Sequence, residues 1–105
     1  MANSLDRRLK PLKALASPVR LKILDWLRKP LAHFPPQKDG HPVRDGVCSD
    51  FLRRKLRIAP ATASRHLAVL TAAGLLVATR KKGWVFYRRD EAALSRLTRE
   101  LRARL

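Results

Sequence analysis

The chain has 105 residues, which fits one small domain, and 46% of them are apolar, which excludes a disordered tail. Its 24 lysines and arginines against 8 acids give a formal net charge of +16, so we expect an anionic partner, with nucleic acid before a membrane surface. One cysteine excludes an internal disulfide. With no signal-like segment and no apolar run of about 18 residues to cross a membrane, we expect a cytoplasmic protein without membrane attachment.

The first 30 residues predict two helices. Leucines recur at helical spacing over residues 5–16, and Pro11 predicts either a kink in this helix or a start near that residue. Ser17 and Pro18 predict the start of the second helix, because serine caps the free N–H groups and proline suits the first helical position. Pro30 ends it.

A long loop and a short basic helix come next. Residues 30–46 hold four of the seven prolines and two of the four glycines, a composition typical of a loop that is either functional or mobile. Residues 49–57 predict a helix that Ser49 or Asp50 can cap. Its inward side chains are Phe51, Leu52 and Leu56, and its predicted phosphate contacts are Arg53, Arg54, Lys55 and Arg57.

The C-terminal half predicts a helix, a hairpin and a last helix. "RIA" makes a three-residue turn, after which Pro60 starts a helix that Gly74 ends. The β-rich runs "LLVATR" and "WVFYRR" flank "KKG", a glycine-containing connection typical of a hairpin. We expect Asp90 to cap the last helix. The fold is therefore predicted to be mainly α with a small β-hairpin, in the order helix, helix, loop, helix, turn, helix, hairpin, helix.

The helix over 61–74 divides into two faces. A short helix, a tight turn and a second helix form a helix-turn-helix, whose second helix enters the major groove of DNA, and a following hairpin makes it a winged helix. Helical spacing puts Ala63, Leu67, Leu70 and Gly74 toward the core. Arg65 suits a bidentate contact to guanine, while Thr62 and Val69 offer methyl groups to thymine. The predicted DNA contacts of this helix are Ala61, Thr62, Ser64, Arg65, His66 and Val69.

Charge placement favours the same partner. Residues 51–89 contain no acid, whereas ordinary solvated surfaces intersperse the two signs. The tip of the predicted hairpin can straddle a phosphate backbone or enter the minor groove through Arg80, Lys81 and Lys82. We expect the hairpin aromatics to anchor it to the core rather than to stack on bases. These are Trp84, Phe86 and Tyr87.

Three segments together resemble one family. "LKALASPVRLKILDWL", "IAPATASRHLAVLTAAGLL" and "RKKGWVFYRR" are similar to motifs of the ArsR-type (arsenic-repressor-like) winged helix-turn-helix transcription regulators. The resemblance covers about 80% of the chain and leaves out the 31–46 loop. It implies a homodimeric bacterial repressor whose recognition helices bind a palindrome in double-stranded DNA, and which an inducer, not identified by the sequence, releases.

Leucine stripes at the two chain ends predict the dimer independently. A domain of this size can hardly cover both stripes, and a symmetric contact would bury them, although packing within one subunit stays an alternative. The resemblance also implies that the first and last helices, about 4–16 and 90–105, pair across the dimer axis of one single domain, 1–105. The predicted interface residues are Leu5, Leu9, Leu12, Leu94, Leu97, Leu101 and Leu105.

Two departures from the family pattern stand out. The family starts its recognition helix with serine, and Ala59-Pro60 takes that place here, which loses a side-chain cap worth about 1 kcal/mol. Where many members carry Cys-x-Cys as metal ligands, this chain has Cys48 and Asp50, which make no soft-metal site. We therefore predict no metal and no cofactor. Cys48 is a candidate redox sensor, with a buried inert cysteine as the alternative.

The leading hypothesis is a sequence-specific DNA-binding regulator that represses by occupying a promoter. The alternative is a non-specific nucleic-acid-binding protein, nucleoid-associated or RNA-binding, because phosphate contacts alone give affinity without sequence information. A single arginine among Thr, Ala and Val on the outer face of 61–72 favours base recognition over that alternative. An enzyme is not expected, since the chain has no glycine-rich phosphate loop and no clustered acids.

Overall fold

The computed structural model describes the backbone of residues 4–105 and the side chains from Leu9 onward, so the predicted interface residue Leu5 lies outside the described side chains. Six helices and three strands follow one another in this part of the chain. They are α1 (Ser4–Leu15), α2 (Pro18–Arg28), α3 (Pro30–His33), β1 (Val47–Cys48), α4 (Ser49–Leu56), α5 (Pro60–Ala72), β2 (Leu76–Lys81), β3 (Trp84–Arg89) and α6 (Glu91–Arg104).

Side-chain caps start two of the helices as predicted. The Ser17 hydroxyl accepts from the Arg20 N–H at 3.3 Å before α2, and the Asp90 carboxylate accepts from the Ala93 N–H at 3.0 Å before α6. The predicted cap of α4 is wrong, because Cys48 occupies the cap position without a side-chain hydrogen bond. Asp50 turns instead toward two arginines of its own helix.

Two prolines have more varied roles than the sequence suggested. Pro11 lies inside α1, which neither starts near it nor stops there. Pro30 follows the end of α2 and also opens the single turn α3 within the predicted loop. Proline suits a first helical position, because the N–H that it lacks has no partner there in any helix.

The hairpin belongs to a three-stranded antiparallel sheet of order β1-β3-β2. Lys82 and Gly83 make its two-residue turn, both with positive φ (51° and 79°), the geometry that joins tightly twisted strands. The strand β1 was not predicted, since two residues are too few to show an alternating pattern. It pairs Val47 with Tyr87 directly after Gly46, where a Cβ would overlap the Tyr87 carbonyl.

One core joins the helices to the sheet. Ala63, Leu67 and Leu70 are buried, which confirms the predicted inner face of α5, but Gly74 is exposed and lies beyond the helix end. Gly74 has φ of 78°, so it ends the helix in the left-handed conformation and does not pack against the core. The largest fully buried side chains are Phe86, Ile23, Leu52, Leu67, Leu70, Leu75 and Val47.

Candidate nucleic-acid interface

The helix-turn-helix consists of α4, a three-residue turn and α5. Leu52 of α4 and Leu67 of α5 are both buried in the core that joins them. Arg57 makes the turn in the left-handed conformation, with φ of 56°, and its N–H donates to the Arg54 carbonyl at 3.2 Å. Ala59 provides no side-chain cap to α5, as predicted. The shared core therefore fixes the second helix against the first.

The outer face of α5 is a shallow surface with one long cation. Ala61, Thr62, Ser64 and Arg65 are exposed, and Val69 is 39% exposed. Small side chains let a helix backbone approach base edges closely, and the one guanidinium can reach a guanine. The structure thus brings five of the six predicted contact residues onto one open surface.

His66, the sixth predicted contact, is half-buried and held by α2. The Arg20 guanidinium lies 3.1 Å from His66 Nδ1 and also donates to the carbonyls of Ala14 and Lys13. A guanidinium can only donate, so Nδ1 accepts and the ring proton sits on Nε2. Burial lowers the pKa of His66 most, and the positive charges of Arg20 and Arg65 lower it further. The imidazole is therefore a neutral donor at pH 7.

Replacing Arg20 should raise the pKa of His66. In Arg20→Gln the nearest charge is gone, so the pKa should move back toward its ordinary value of 6.5, and a pH titration followed by NMR of the ring resonances measures it. Signals of His33 and His41 serve as internal controls. Because the native pKa is lowered, neutral His66 contributes stability above pH 6.5 that is lost as pH falls through the native value. An unmoved titration in Arg20→Gln would contradict the assigned contact.

The wing tip is exposed and basic as predicted, with Arg80, Lys81 and Lys82 all on the surface. The segment between α3 and β1, here called the 34–46 loop, contacts the wing tip through two ion pairs. Lys82 pairs with Asp39 at 3.4 Å, and Lys81 pairs with Asp45 at 3.5 Å. Nothing in the local sequence pattern pointed to these acids, because they precede the hairpin by some forty residues of chain.

The hairpin aromatics divide between core and surface. Phe86 is buried and Tyr87 is half-buried, which raises the pKa of its hydroxyl. Trp84 does not anchor the hairpin as expected, since it is 49% exposed. It is the first residue of β3, directly after the two-residue turn at the end of the hairpin.

The cations of α4 are partly engaged within the protein. Asp50 accepts from Arg53 and Arg54, and these arginines hold the pKa of Asp50 below its ordinary value. The Lys55 ammonium lies 5.0 Å from the centre of the Trp26 ring and 5.7 Å from that of Phe34. The remaining predicted phosphate contact of this helix, Arg57, is exposed at the turn.

Cys48 is 8% exposed, and its N–H donates to the Gln37 side chain at 2.7 Å. In the neighbouring loop, His41 uses Nδ1 to accept from the N–H groups of Val43 and Arg44. Among the residues from Leu9 onward, no three side chains of His, Cys, Asp or Glu are placed to share a metal ion.

The terminal helices keep part of their leucine stripes uncovered. Leu9 is 37% exposed and Leu105 is 99% exposed, while Leu12, Leu94 and Leu101 are half-buried. Leu97 differs, because it lies in the protomer's own core and is 7% exposed. Within the described residues, no helix is long and apolar enough to span a membrane.

A helix-turn-helix followed by a β-hairpin is the winged helix-turn-helix, a domain that binds DNA. No family model matches the chain. A curated relative, an uncharacterised HTH-type transcriptional regulator, YbzH, of Bacillus subtilis strain 168, is 40% identical over 85 residues, or 81% of this chain and 85% of the relative. This level of identity shows that the chain is a transcriptional regulator with a helix-turn-helix.

The fold of this chain also resembles solved structures of transcriptional regulators. An ArsR-like transcriptional regulator from Rhodococcus sp. RHA1 superposes with a TM-score of 0.69 at 20% identity, over 97% of this chain and 82% of that one. The solution structure of a homodimeric winged helix-turn-helix domain from Mycobacterium bovis, a possible ArsR-family regulator, gives 0.67 at 26% identity, over 94% and 78%. This chain belongs to the HTH-type transcriptional regulators, and the solved structures that it resembles include ArsR-family regulators.

Proposed function

We propose that the protein is a homodimeric repressor that binds a palindromic operator, one α5 helix to each half-site, and leaves it in response to a signal that the chain does not identify. The observation that carries this proposal is the outer face of α5, which combines one arginine with small side chains within a basic stretch, residues 51–89, that contains no acid. Such a face suits base edges, whereas a purely electrostatic binder needs only cations. Repression requires nothing more than occupying the promoter.

The assigned contacts follow from side-chain chemistry. Arg65 would bind guanine through O6 and N7, and Thr62 and Val69 would meet thymine methyls. Ser64 and the Nε2–H of His66 would donate to phosphates, which position the helix without reading sequence. The basic side chains of the turn and wing would add further phosphate contacts, namely Arg57, Arg80, Lys81 and Lys82, with smaller contributions from Arg53, Arg54 and Lys55.

The dimer is supported by the uncovered leucines of α1 and α6, and by the homodimeric state of the Mycobacterium bovis domain. A two-fold axis between these helices would present the two α5 helices to successive major grooves, about one helical turn apart. We propose binding alone, without catalysis, and a cytoplasmic location, because the bacterial chromosome lies there. The burial of Cys48 favours a structural role for this thiol over a redox one.

Selection from a random duplex pool tests this proposal. The protein should enrich a palindrome whose half-sites are centred about 10 bp apart. Enrichment of one unpaired half-site would contradict the dimeric arrangement. A pool that stays random would favour the non-specific nucleic-acid binder.

A further inference from the structure

The 34–46 loop brings carboxylates to the cations that the wing would offer to DNA. Asp39 lies 3.4 Å from the Lys82 ammonium, and Asp45 lies 3.5 Å from that of Lys81. The loop comes before the helix-turn-helix in sequence, and the wing comes after it. Two separate ion pairs between them place one acid at each of two neighbouring wing lysines.

The loop is held in place by contacts that do not involve these lysines. The Gln37 amide donates to the Gly46 carbonyl at 3.1 Å and accepts from the Cys48 N–H at 2.7 Å. Gly40 lies against the Phe86 ring so closely that a Cβ there would come within 2.8 Å of it, and its φ of 77° also favours glycine. The carboxylates are therefore positioned by the loop itself.

The carboxylates are the fixed members of each pair. The side chains of Asp39 and Asp45 are 26% and 13% exposed, against 73% and 43% for their lysine partners. Asp45 also accepts from the His41 N–H at 2.7 Å and from Arg44 at 3.2 Å. These hydrogen bonds, with the nearby charges of Arg44 and Lys81, lower its pKa to about 2. Asp45 thus stays ionised at any pH at which the protein would bind DNA.

We propose that the 34–46 loop is an internal competitor of DNA at the wing, in which Asp39 and Asp45 occupy Lys82 and Lys81 until phosphates displace them. The inference rests on the proposed function in one respect, namely that the wing lysines contact DNA. Each contact then replaces an ion pair already made, so it adds less affinity than a free lysine would add. Any change that lifts the loop from the wing would strengthen DNA binding.

A double-mutant cycle on a duplex of arbitrary sequence tests the competition. The four proteins are wild type, Asp39→Asn, Lys82→Gln and the double variant, compared by fluorescence anisotropy at low and physiological salt. Asp39→Asn should bind about two- to fivefold tighter than wild type, the range of an exposed ion pair. Lys82→Gln should bind more weakly, and adding Asp39→Asn to it should change nothing, because no lysine is left to free.

A matched control removes the same charge elsewhere. Asp25 is exposed on α2 and pairs only with Arg28 among the described ion pairs, so Asp25→Asn should leave affinity for the duplex unchanged. Thermal melting checks that every variant is folded. An equal gain from Asp39→Asn with and without Lys82 would reveal a general charge effect and overturn the competition. Weaker binding by Asp39→Asn would show that Asp39 positions the wing for DNA, which contradicts the competition. Unchanged binding by Lys82→Gln would show that Lys82 does not contact DNA, which contradicts it as well.

The outcome is separable from that of the proposed function. The cycle needs only phosphates, so coupling between Asp39 and Lys82 can be measured whether or not an operator exists. Coupling with no enriched palindrome would leave the competition standing and overturn the specific regulator. An enriched palindrome with no coupling would support the specific regulator and overturn the competition.

Discussion

Leu101→Glu should leave each protomer folded but separate the dimer, and affinity for the operator should fall about a hundredfold or more. Leu101 of α6 packs partly against the protomer core, and the remainder of its side chain is solvent-exposed. A two-fold axis would bring two new carboxylates together in an apolar contact. Losing the second half-site removes the gain from linked binding, which is commonly a hundredfold to ten-thousandfold. Light scattering should report 12.0 kDa in place of twice that mass.

The control for this prediction is Leu31→Glu. Leu31 is 70% exposed on α3, outside both terminal helices, and its substitution changes the net charge by the same amount. This variant should remain dimeric and bind the operator like wild type. If Leu101→Glu stays a dimer with full affinity, the partner contact lies on another face of the protomer.

Arg65→Ala should cost operator binding about 1–3 kcal/mol at a single base-pair position and relax the preference for that base. Arg65 is exposed, and it carries the one long cationic side chain on the outer face of α5, so no other residue there can replace a bidentate contact. Competition assays with each of the four bases at every operator position measure the change. Affinity for non-specific duplexes should fall only by the loss of one charge.

Arg80→Ala is the matched comparison, since it removes the same side chain from the wing. Arg80→Ala should weaken binding to duplexes of all sequences about equally. It should also reduce the slope of log affinity against log salt by about 0.9, the effect of one phosphate contact. The two variants should therefore differ in pattern as well as size. An equal loss of base preference from both would contradict the separate roles of helix and wing.

The sequence predicted those features that depend on neighbouring residues. The Ser17 and Asp90 caps, the turn of the hairpin and the buried face of α5 all follow from side chains within a few positions of one another. The DNA-binding class was predictable for the same reason, because the helix-turn-helix and wing are contiguous in the chain. Such local preferences persist in the folded protein because the tertiary contacts favour the same conformations.

The features that escaped prediction depend on distant residues. The strand β1 exists because Val47 and Cys48 pair with β3, and the bond between Arg20 and His66 joins residues 46 positions apart. The 34–46 loop lies within the segment 30–46 that was predicted as a loop, but its attachment to the wing depends on Gly40 fitting against Phe86. Composition can indicate that such a loop is irregular, but it cannot indicate which surface it covers.

We propose that the charge and shape of this surface serve recognition of one DNA sequence. The most direct test is fluorescence anisotropy of the protein on the duplex upstream of its own gene, beside a shuffled duplex of equal length, at about 150 mM salt. We expect a preference of about a thousandfold or more for the native duplex. Equal affinity for this pair, repeated with any palindrome recovered by selection, would contradict it and assign the binding to charge alone.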